Sequence, residues 1–367
     1  VEDEQPIAPR FGADCVTGLI PAILDPNAPD FLALPEGVAD ARAVVVLVID
    51  GLGWKQLQER QRLAPVMAEM NGGPVTTVAP TTTAAALTSI VTGAPPGLHG
   101  MVGYRIDVSG QVLNTLRWST PRGDARKSIP PDEFQPLEPF LGHRPVVVQN
   151  AIFAKSGFTT AHLRGVRHSG WRTLPTLAVE VRRALASGEP FVYAYYDGID
   201  KIAHEFGFGE HYEAELSAVD RLVTEIMMSL PRGASLVVTA DHGQIDCTGG
   251  RVELDTEVKR LIDRQSGEAR FRWLHAEPGR KRDLLAAAEA GHGGQAWVRT
   301  AEAIIDDGWF GDTVSDDARS RLGDVASVAK GTNWFDDPVD GGKIELIGRH
   351  GSLTAEEMLV PMLSFVS

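Results

Sequence analysis

"ARAVVVLVIDG", residues 41–51, is an apolar run of valine, leucine and isoleucine that stops on Asp50 and turns at Gly51. Such a run, with no polar alternation, suits a strand covered on both faces, as in a parallel sheet packed between helices. "PFVYAYYDGID" (190–200) and "SLVVTADHG" (235–243) follow the same grammar, each reaching an aspartate, and "PVVVQNAIF" (145–153) reads as a fourth strand. Helical patterns lie between them. In "EHYEAELSAVDRLVTEIMMSLPRG" (210–233), Leu216, Val219, Leu222, Val223, Ile226 and Leu230 recur at helical spacing, and Pro231 with Gly233 closes the element. The alternation predicts an α/β fold: a doubly wound, mostly parallel sheet between helices. Ligands of such sheets gather beyond the carboxyl ends of the strands, where these aspartates sit.

From about Asp246 to Asp340 the character changes to short strands, a helix and loops, with four of the chain's seven tryptophans between 273 and 334. Residues 246–340 therefore read as an insertion or small subdomain within a single catalytic domain spanning 1–367. A chain of 367 residues, 43% hydrophobic, is long enough to bury a sizeable core. No run approaches the roughly 18 apolar residues of a membrane helix. "VEDEQPIAPR" lacks the basic start and apolar centre of a signal peptide. With only Cys15 and Cys247, too few for a disulfide framework, a cytoplasmic protein is the expectation; an exported one with its leader removed also fits. The net charge of −14 argues against sequence-independent binding to a nucleic-acid backbone. An acidic enzyme acting on phosphates needs bound cations to offset repulsion of its substrate.

The chemistry-bearing residues sit at the strand ends. Asp50 before Gly is by itself commonly turn chemistry. In "DGIDKIAHEFG", Asp200 and His204 are four apart, which on a helical turn puts carboxylate and imidazole on one face. That spacing also suits a helix-surface hydrogen bond. Asp241 and His242 end a buried run, where unpaired polar groups are costly, although Asp241 capping a following helix is the simpler alternative. His350 lies in "GRHGS", ahead of Thr354 and Glu357, which form a candidate capping box for a last helix. Together Asp50, Asp200, His204, Asp241, His242 and His350 supply enough oxygen and nitrogen ligands for two divalent cations.

"APTTTAAALTSIVTG" (79–93) adds hydroxyls at the start of an alanine-rich helix. A threonine hydroxyl is a weak nucleophile unless a cation stabilises its alkoxide, and a helix N-terminus offers N–H groups to phosphate oxygens. With "LVIDG", "DGIDKIAH", "TADHG" and "HGSLTAEEMLVP", this segment resembles the alkaline phosphatase superfamily, in particular its nucleotide pyrophosphatase/phosphodiesterase branch. The resemblance runs from about residue 43 to 363, apart from the insertion.

That resemblance implies two metal ions, zinc first and manganese as the alternative, and a covalent phosphothreonine intermediate. It implies Thr83 as nucleophile and metal contact, Asp50, Asp241 and His242 as ligands of one metal, and Asp200, His204 and His350 as ligands of the other. Thr81 and Thr82 are left as loop or capping residues, Thr88 and Thr92 as helix packing. The branch commonly carries an aromatic residue after the nucleophile and an asparagine near the phosphate. Here Ala84 follows Thr83, and Tyr104 stands at the matching asparagine position, so Tyr104, Arg105 and Asn114 are all candidates for substrate binding. Trp118, Phe153 and Trp171 are candidate stacking surfaces, with core packing the first expectation for each.

The implied function is metal-dependent hydrolysis of a small phosphorylated substrate, a nucleotide among them, by a phosphodiesterase or nucleotide pyrophosphatase. The rivals are a phosphomonoesterase, phosphonate hydrolase or phosphoglycerate-mutase-like enzyme, and a catalytically silent protein that binds a phosphorylated ligand.

Overall fold

The computed structural model describes residues 5–12, 14–25, 34–337, 339 and 346–367; Val1 to Glu4, and Pro338 and Asp340 of the 246–340 segment, lie outside the described residues. Seven strands form the central sheet: β1 (Ala43–Ile49), β2 (Asn71–Thr76), β3 (Val146–Asn150), β4 (Arg167–Trp171), β5 (Phe191–Tyr196), β6 (Ala234–Thr239) and β7 (Leu359–Val366). Their order is β2-β7-β6-β1-β5-β3-β4. The pairings β6–β1, β1–β5, β5–β3 and β3–β4 are parallel, whereas β7 runs antiparallel to both β6 and β2. The mostly parallel sheet read from the apolar runs is thus the observed one.

Every residue of β1, β5 and β6 is buried, as strands in the middle of a two-sided sheet must be. Their register sets Val46 opposite both Tyr193 and Val237, so the three strands end side by side. Each Val, Leu or Ile side chain buried in this layer contributes roughly 1.5–3 kcal/mol.

Three helices matter for the site: α1 (Thr83–Thr92), α2 (Gly198–Phe206) and α3 (Glu210–Ser229). All of α1 is buried, which its alanines permit by leaving little side chain to accommodate, and Gly93 ends it at φ 68°. On α3 the expected face, Leu216, Val219, Leu222, Val223 and Ile226, points inward, and Leu230 follows as the C-cap residue. Thr88 and Thr92 donate back to the carbonyls of Ala84 and Thr88, 2.7 Å in each case, and so belong to helix packing. Among the described residues no helix is long and apolar enough to cross a membrane.

The expected last helix is a single turn, Ala355–Met358, after which the chain becomes β7. Nor does the capping box form. Thr354 holds the N-cap position without a side-chain cap bond, and its hydroxyl donates to Glu357 at 2.6 Å. The Glu357 carboxylate instead takes both Nε and Nη2 of Arg270 at 2.8 Å, a fully buried bidentate pair. Within 246–340, strands Ile262–Gly267, Phe271–Ala276, Ala296–Thr300 and Val325–Ala329 make a second sheet. Leu254, Val258, Leu274, Leu284 and Phe335 form its own apolar cluster, while Phe271, Trp273 and Trp297 join the main core.

One buried histidine gives stability a pH dependence. His162 stacks on Phe158 with ring centroids 3.9 Å apart, and its Nδ1 donates to the Phe158 carbonyl at 2.6 Å. Burial pulls its pKa down to about 4, against about 6.5 in an unfolded chain. Between those values the unfolded state holds the extra proton, so stability falls as pH drops through that window, by up to about 1.4 kcal/mol per pH unit. His162→Phe is expected to flatten the pH dependence of urea unfolding between pH 6.5 and 4 by that amount. An unaltered slope would refute the assignment.

Candidate active site

The fold delivers the site residues from adjacent strand ends. Asp50 follows β1, Asp241 and His242 follow β6, and the turn after β5 opens α2, which carries Asp200 and His204. Thr83 is the first residue of α1, and His350 lies in the loop ahead of β7.

Two overlapping groups result. Asp50, Asp241 and His242 offer ligand atoms within 4.8 Å of one another, and so do Asp200, His242 and His350. His242 Nε2 lies 3.5 Å from both Asp50 Oδ1 and Asp241 Oδ2. Asp200 Oδ1 is 3.3 Å from His204 Nε2 and 3.8 Å from His350 Nε2. Thus Asp200 and His204 do share a helix face, whereas Asp241 caps no helix: the segment after it runs into a two-residue strand, Ile245–Asp246. Thr83 Oγ1 is 3.2 Å from His242 Nε2, so all seven residues converge.

The histidines are aimed by backbone carbonyls. Nδ1 of His204 donates to Gly348 at 2.6 Å, that of His350 to Thr81 at 2.7 Å, and that of His242 to Gly243 at 3.1 Å. This leaves each Nε2 facing the carboxylates, the arrangement that prepares an imidazole as a metal ligand. Asp241 Oδ1 accepts the N–H groups of Gly51 at 3.1 Å and His242 at 3.0 Å, and Asp50 Oδ2 accepts the Tyr195 hydroxyl. Their other oxygens, Asp50 Oδ1 and Asp241 Oδ2, are buried with no hydrogen-bond partner among the described residues. An orphaned buried carboxylate oxygen is costly. Two of them beside an imidazole nitrogen fit a divalent cation that accepts mixed oxygen and nitrogen ligands, zinc or manganese among them.

The electrostatics agree. Burial, then the charges of Asp241 and Asp200, push the Asp50 carboxyl well above the usual range; burial also raises Asp241. Burial opposes ionisation of Asp200, but the neighbouring imidazoles of His204, His350 and His242 together outweigh it and hold that carboxyl low; the contact with Asp200 in turn raises His204 against its own burial. Burial and the two other imidazoles hold His350 well below its ordinary value. A bound cation would invert this logic by favouring the ionised carboxylates.

Sequence reasoning missed three supporting side chains. Tyr195 holds Asp50, the Gln244 amide donates to Asp200 Oδ1 at 2.5 Å, and the Thr81 hydroxyl accepts the Gly351 N–H and donates to the Ser352 carbonyl, both at 2.8 Å. Thr81 therefore ties the α1 entry to the His350 loop, while Thr82 is the N-cap residue without a side-chain cap bond. The available signal was position: Gln244 lies two residues beyond His242, and Tyr195 two before Asp197 in its strand.

Gly51 packs tightly against these groups. It sits at φ +74°, and a Cβ there would stand 2.6 Å from Gln244 Nε2 and 3.0 Å from the Asp200 Cα. Gly51→Ala is expected to lower kcat about 10²-fold by displacing Asp200, measured at saturating zinc. Wild-type turnover would show that this approach has no catalytic weight.

A wide cleft opens at Thr83 and runs past Asp200, His204 and His350 to Tyr104, Arg105 and Asn114. There the Asn114 amide donates to the Tyr104 hydroxyl at 2.6 Å, and Arg105 pairs with the buried Asp337 at 2.6 Å. Trp118 and Trp171 are buried, their indole N–H groups donating to the carbonyls of Ile129 at 2.8 Å and Tyr195 at 3.0 Å, which makes them core residues. Phe153 lines a second pocket beside Thr83. The Ala84 methyl is buried.

A doubly wound sheet whose strand ends gather acidic and imidazole side chains around a helix-borne threonine defines an alkaline phosphatase superfamily protein. Within that superfamily the chain belongs to the type I phosphodiesterase / nucleotide pyrophosphatase family, whose family model matches residues 44–353. Among solved structures it is similar to murine ectonucleotide pyrophosphatase / phosphodiesterase 5, at TM-score 0.66 and 19% identity, covering 89% of this chain and 88% of that one. An inactive form of the murine protein in complex with AMP matches at TM-score 0.65 and 18% identity, covering 88% and 87%. Phosphonoacetate hydrolase from Sinorhizobium meliloti 1021, in complex with phosphonoformate, matches at TM-score 0.65 and 16% identity over 89% and 90%. No curated protein sequence matches. Family and neighbours indicate a phosphoryl hydrolase.

Proposed function

We propose that the chain hydrolyses phosphodiesters or nucleotide pyrophosphates through a covalent phosphothreonine at Thr83. The observation that carries this reading is the position of Thr83 Oγ1, on the first turn of α1 and 3.2 Å from Nε2 of His242, the imidazole common to both ligand groups. Asp50, Asp241, His242 and Thr83 would hold one divalent cation and Asp200, His204 and His350 the other, zinc first and manganese second. When bound, the cations supply Lewis acidity that stabilises the threonine alkoxide and the charge on the phosphoryl group.

The chain's own residues then account for the rest. Thr83 Oγ1 bonds to phosphorus as the ester oxygen leaves on the opposite side, and water afterwards cleaves the phosphothreonine and restores the hydroxyl. The first intrahelical bond of α1 runs from the Ala86 N–H to the Thr82 carbonyl at 2.9 Å. The N–H groups of Thr83, Ala84 and Ala85 precede that ladder and would receive the phosphoryl oxygens. Asn114, with Tyr104 and Arg105, would contact the remainder of the substrate along the cleft. We also read 1–367 as one catalytic domain carrying residues 246–340 as an insertion, a reading that the separate apolar cluster supports.

The test compares p-nitrophenyl phosphate, bis-p-nitrophenyl phosphate, p-nitrophenyl phenylphosphonate, AMP-containing pyrophosphates and phosphonoacetate with zinc-loaded protein. The diester and pyrophosphates are expected to be the best substrates. A strong preference for the monoester would overturn the diesterase reading, and preferred cleavage of phosphonoacetate would move the chain to phosphonate hydrolysis.

A further inference from the structure

Arg270 is fully buried although it lies in the turn between two strands of the 246–340 segment, Ile262–Gly267 and Phe271–Ala276. A guanidinium carries five N–H donors, and here every one is engaged. Nε and Nη2 donate to the two Glu357 oxygens at 2.8 Å, and Nη2 also donates to the Gly331 carbonyl at 2.9 Å. Nη1 donates to the Asn333 carbonyl and, at 3.6 Å, to the Cys247 sulfur. Glu357 in turn reaches both ligand groups. Its Oε1 accepts the N–H of Ser352, two residues beyond His350, and its backbone carbonyl accepts the N–H of Gly243, next to His242, both at 2.9 Å. The Ser352 carbonyl accepts the Thr81 hydroxyl at 2.8 Å, and the Thr81 carbonyl accepts His350 Nδ1 at 2.7 Å.

We propose that Arg270 is a positioning residue: through Glu357 and Ser352 it fixes the His350 imidazole as a cation ligand, which makes the 246–340 segment a working part of the metal centre. The inference rests on the reading of Asp200, His204 and His350 as ligands of one cation. Without the guanidinium, Glu357 is a buried charge with no counter-ion, so it takes up a proton or withdraws from Ser352, and the His350 loop loses its anchor. The side-chain path ends on that loop. His242 is tied instead by the Glu357 backbone, which a change at residue 270 leaves in place. The two cations are therefore expected to respond unequally. A pair that only closed the core between the two sheets would affect both cations alike, in proportion to lost stability.

Zinc titration against a competing chelator, with wild type, Arg270→Met, Arg270→Lys and Leu284→Ala, separates these cases. Lys keeps the charge but lacks the planar fork, so Arg270→Lys supplies the answer should Arg270→Met fail to fold. In the Arg270 variants one zinc equivalent is expected to bind about ten-fold or more weakly, and the other as in the wild type. Turnover of the diester should fall at limiting zinc and recover as zinc is raised, with KM constant. Hydrogen exchange in chelator should rise across residues 348–354 and stay unchanged in β1. Leu284→Ala hollows the apolar cluster of the 246–340 segment without touching the pair, so it should lower Tm and keep both zinc affinities. Unchanged zinc affinities in the Arg270 variants with 348–354 still protected, or the same zinc loss in Leu284→Ala, would overturn the positioning role. A wild type that takes up no zinc, with 348–354 opening in the Arg270 variants, would instead overturn the two-metal reading and leave the positioning of His350 standing.

Discussion

Thr83→Ala is expected to lower kcat for a phosphodiester by about 10³-fold or more and to abolish the phosphoprotein trapped by acid quenching, whereas Thr83→Ser keeps both. The reasoning is positional. Several hydroxyls lie close together in "APTTTAAALTSIVTG", but only Thr83 Oγ1 is bonded toward the acidic and imidazole cluster, 3.2 Å from His242 Nε2. Thr81 is committed to the Gly351 and Ser352 backbone, and Thr88 and Thr92 to helix carbonyls. Thr81→Ala should accordingly weaken metal retention through the His350 loop while still permitting the phosphoprotein to form. Mass spectrometry of the quenched protein separates the two outcomes. A phosphoryl group that persists in Thr83→Ala, or wild-type turnover by that variant, would place the nucleophile elsewhere.

What could be read before any coordinates follows from which constraints are local. The runs that became β1, β5 and β6 are buried on both faces, so their apolar continuity survives in the sequence, and the aspartates that end them mark the mouth of the sheet. β2 and β7 obey other rules. β2 is an edge strand, "NGGPVT", exposed over much of its length, and its Pro74 pairs opposite Pro361 of β7, so neither carries a clear strand pattern. Thr354 and Glu357 read as a capping box opening a last helix because their spacing is local, but only the turn Ala355–Met358 forms, and pairing with β6 and β2 makes the residues after it a strand. The site divides in the same way. Its Asp and His residues announce themselves by chemical type at strand ends. Tyr195 and Gln244 acquire their roles only once β5 lies beside β1 and the segment after His242 folds against α2, and Glu357 becomes the partner of Arg270 only through contact with residues 246–340.

Asp241→Asn is expected to be more stable than the wild type in chelator and less stable than it in zinc. With a chelator present, the wild type holds Asp50 and Asp241 as buried neighbours whose unpaired oxygens both face His242. Both carboxyls titrate above their ordinary values. A carboxyl with its folded pKa raised above the unfolded value of about 4 costs stability as pH rises from that value toward the folded pKa. Near neutral pH the metal-free wild type therefore carries this penalty, and Asp241→Asn relieves it without changing side-chain shape. The Asn oxygen can still accept the Gly51 and His242 N–H groups. Its Tm in chelator should exceed that of the wild type. Added zinc reverses the ranking, because a ligand bound only to the folded state at 1,000 times its Kd contributes about 4 kcal/mol, and the variant lacks one of the charges that hold it. Turnover should fall about 10³-fold or more in parallel, as a lost Lewis-acid contact requires. Thermal unfolding of both proteins in chelator and in zinc, with metal content measured on the same samples, decides the matter. Equal zinc-induced shifts and equal metal content would show that Asp241 is not a ligand, whatever its distance from His242.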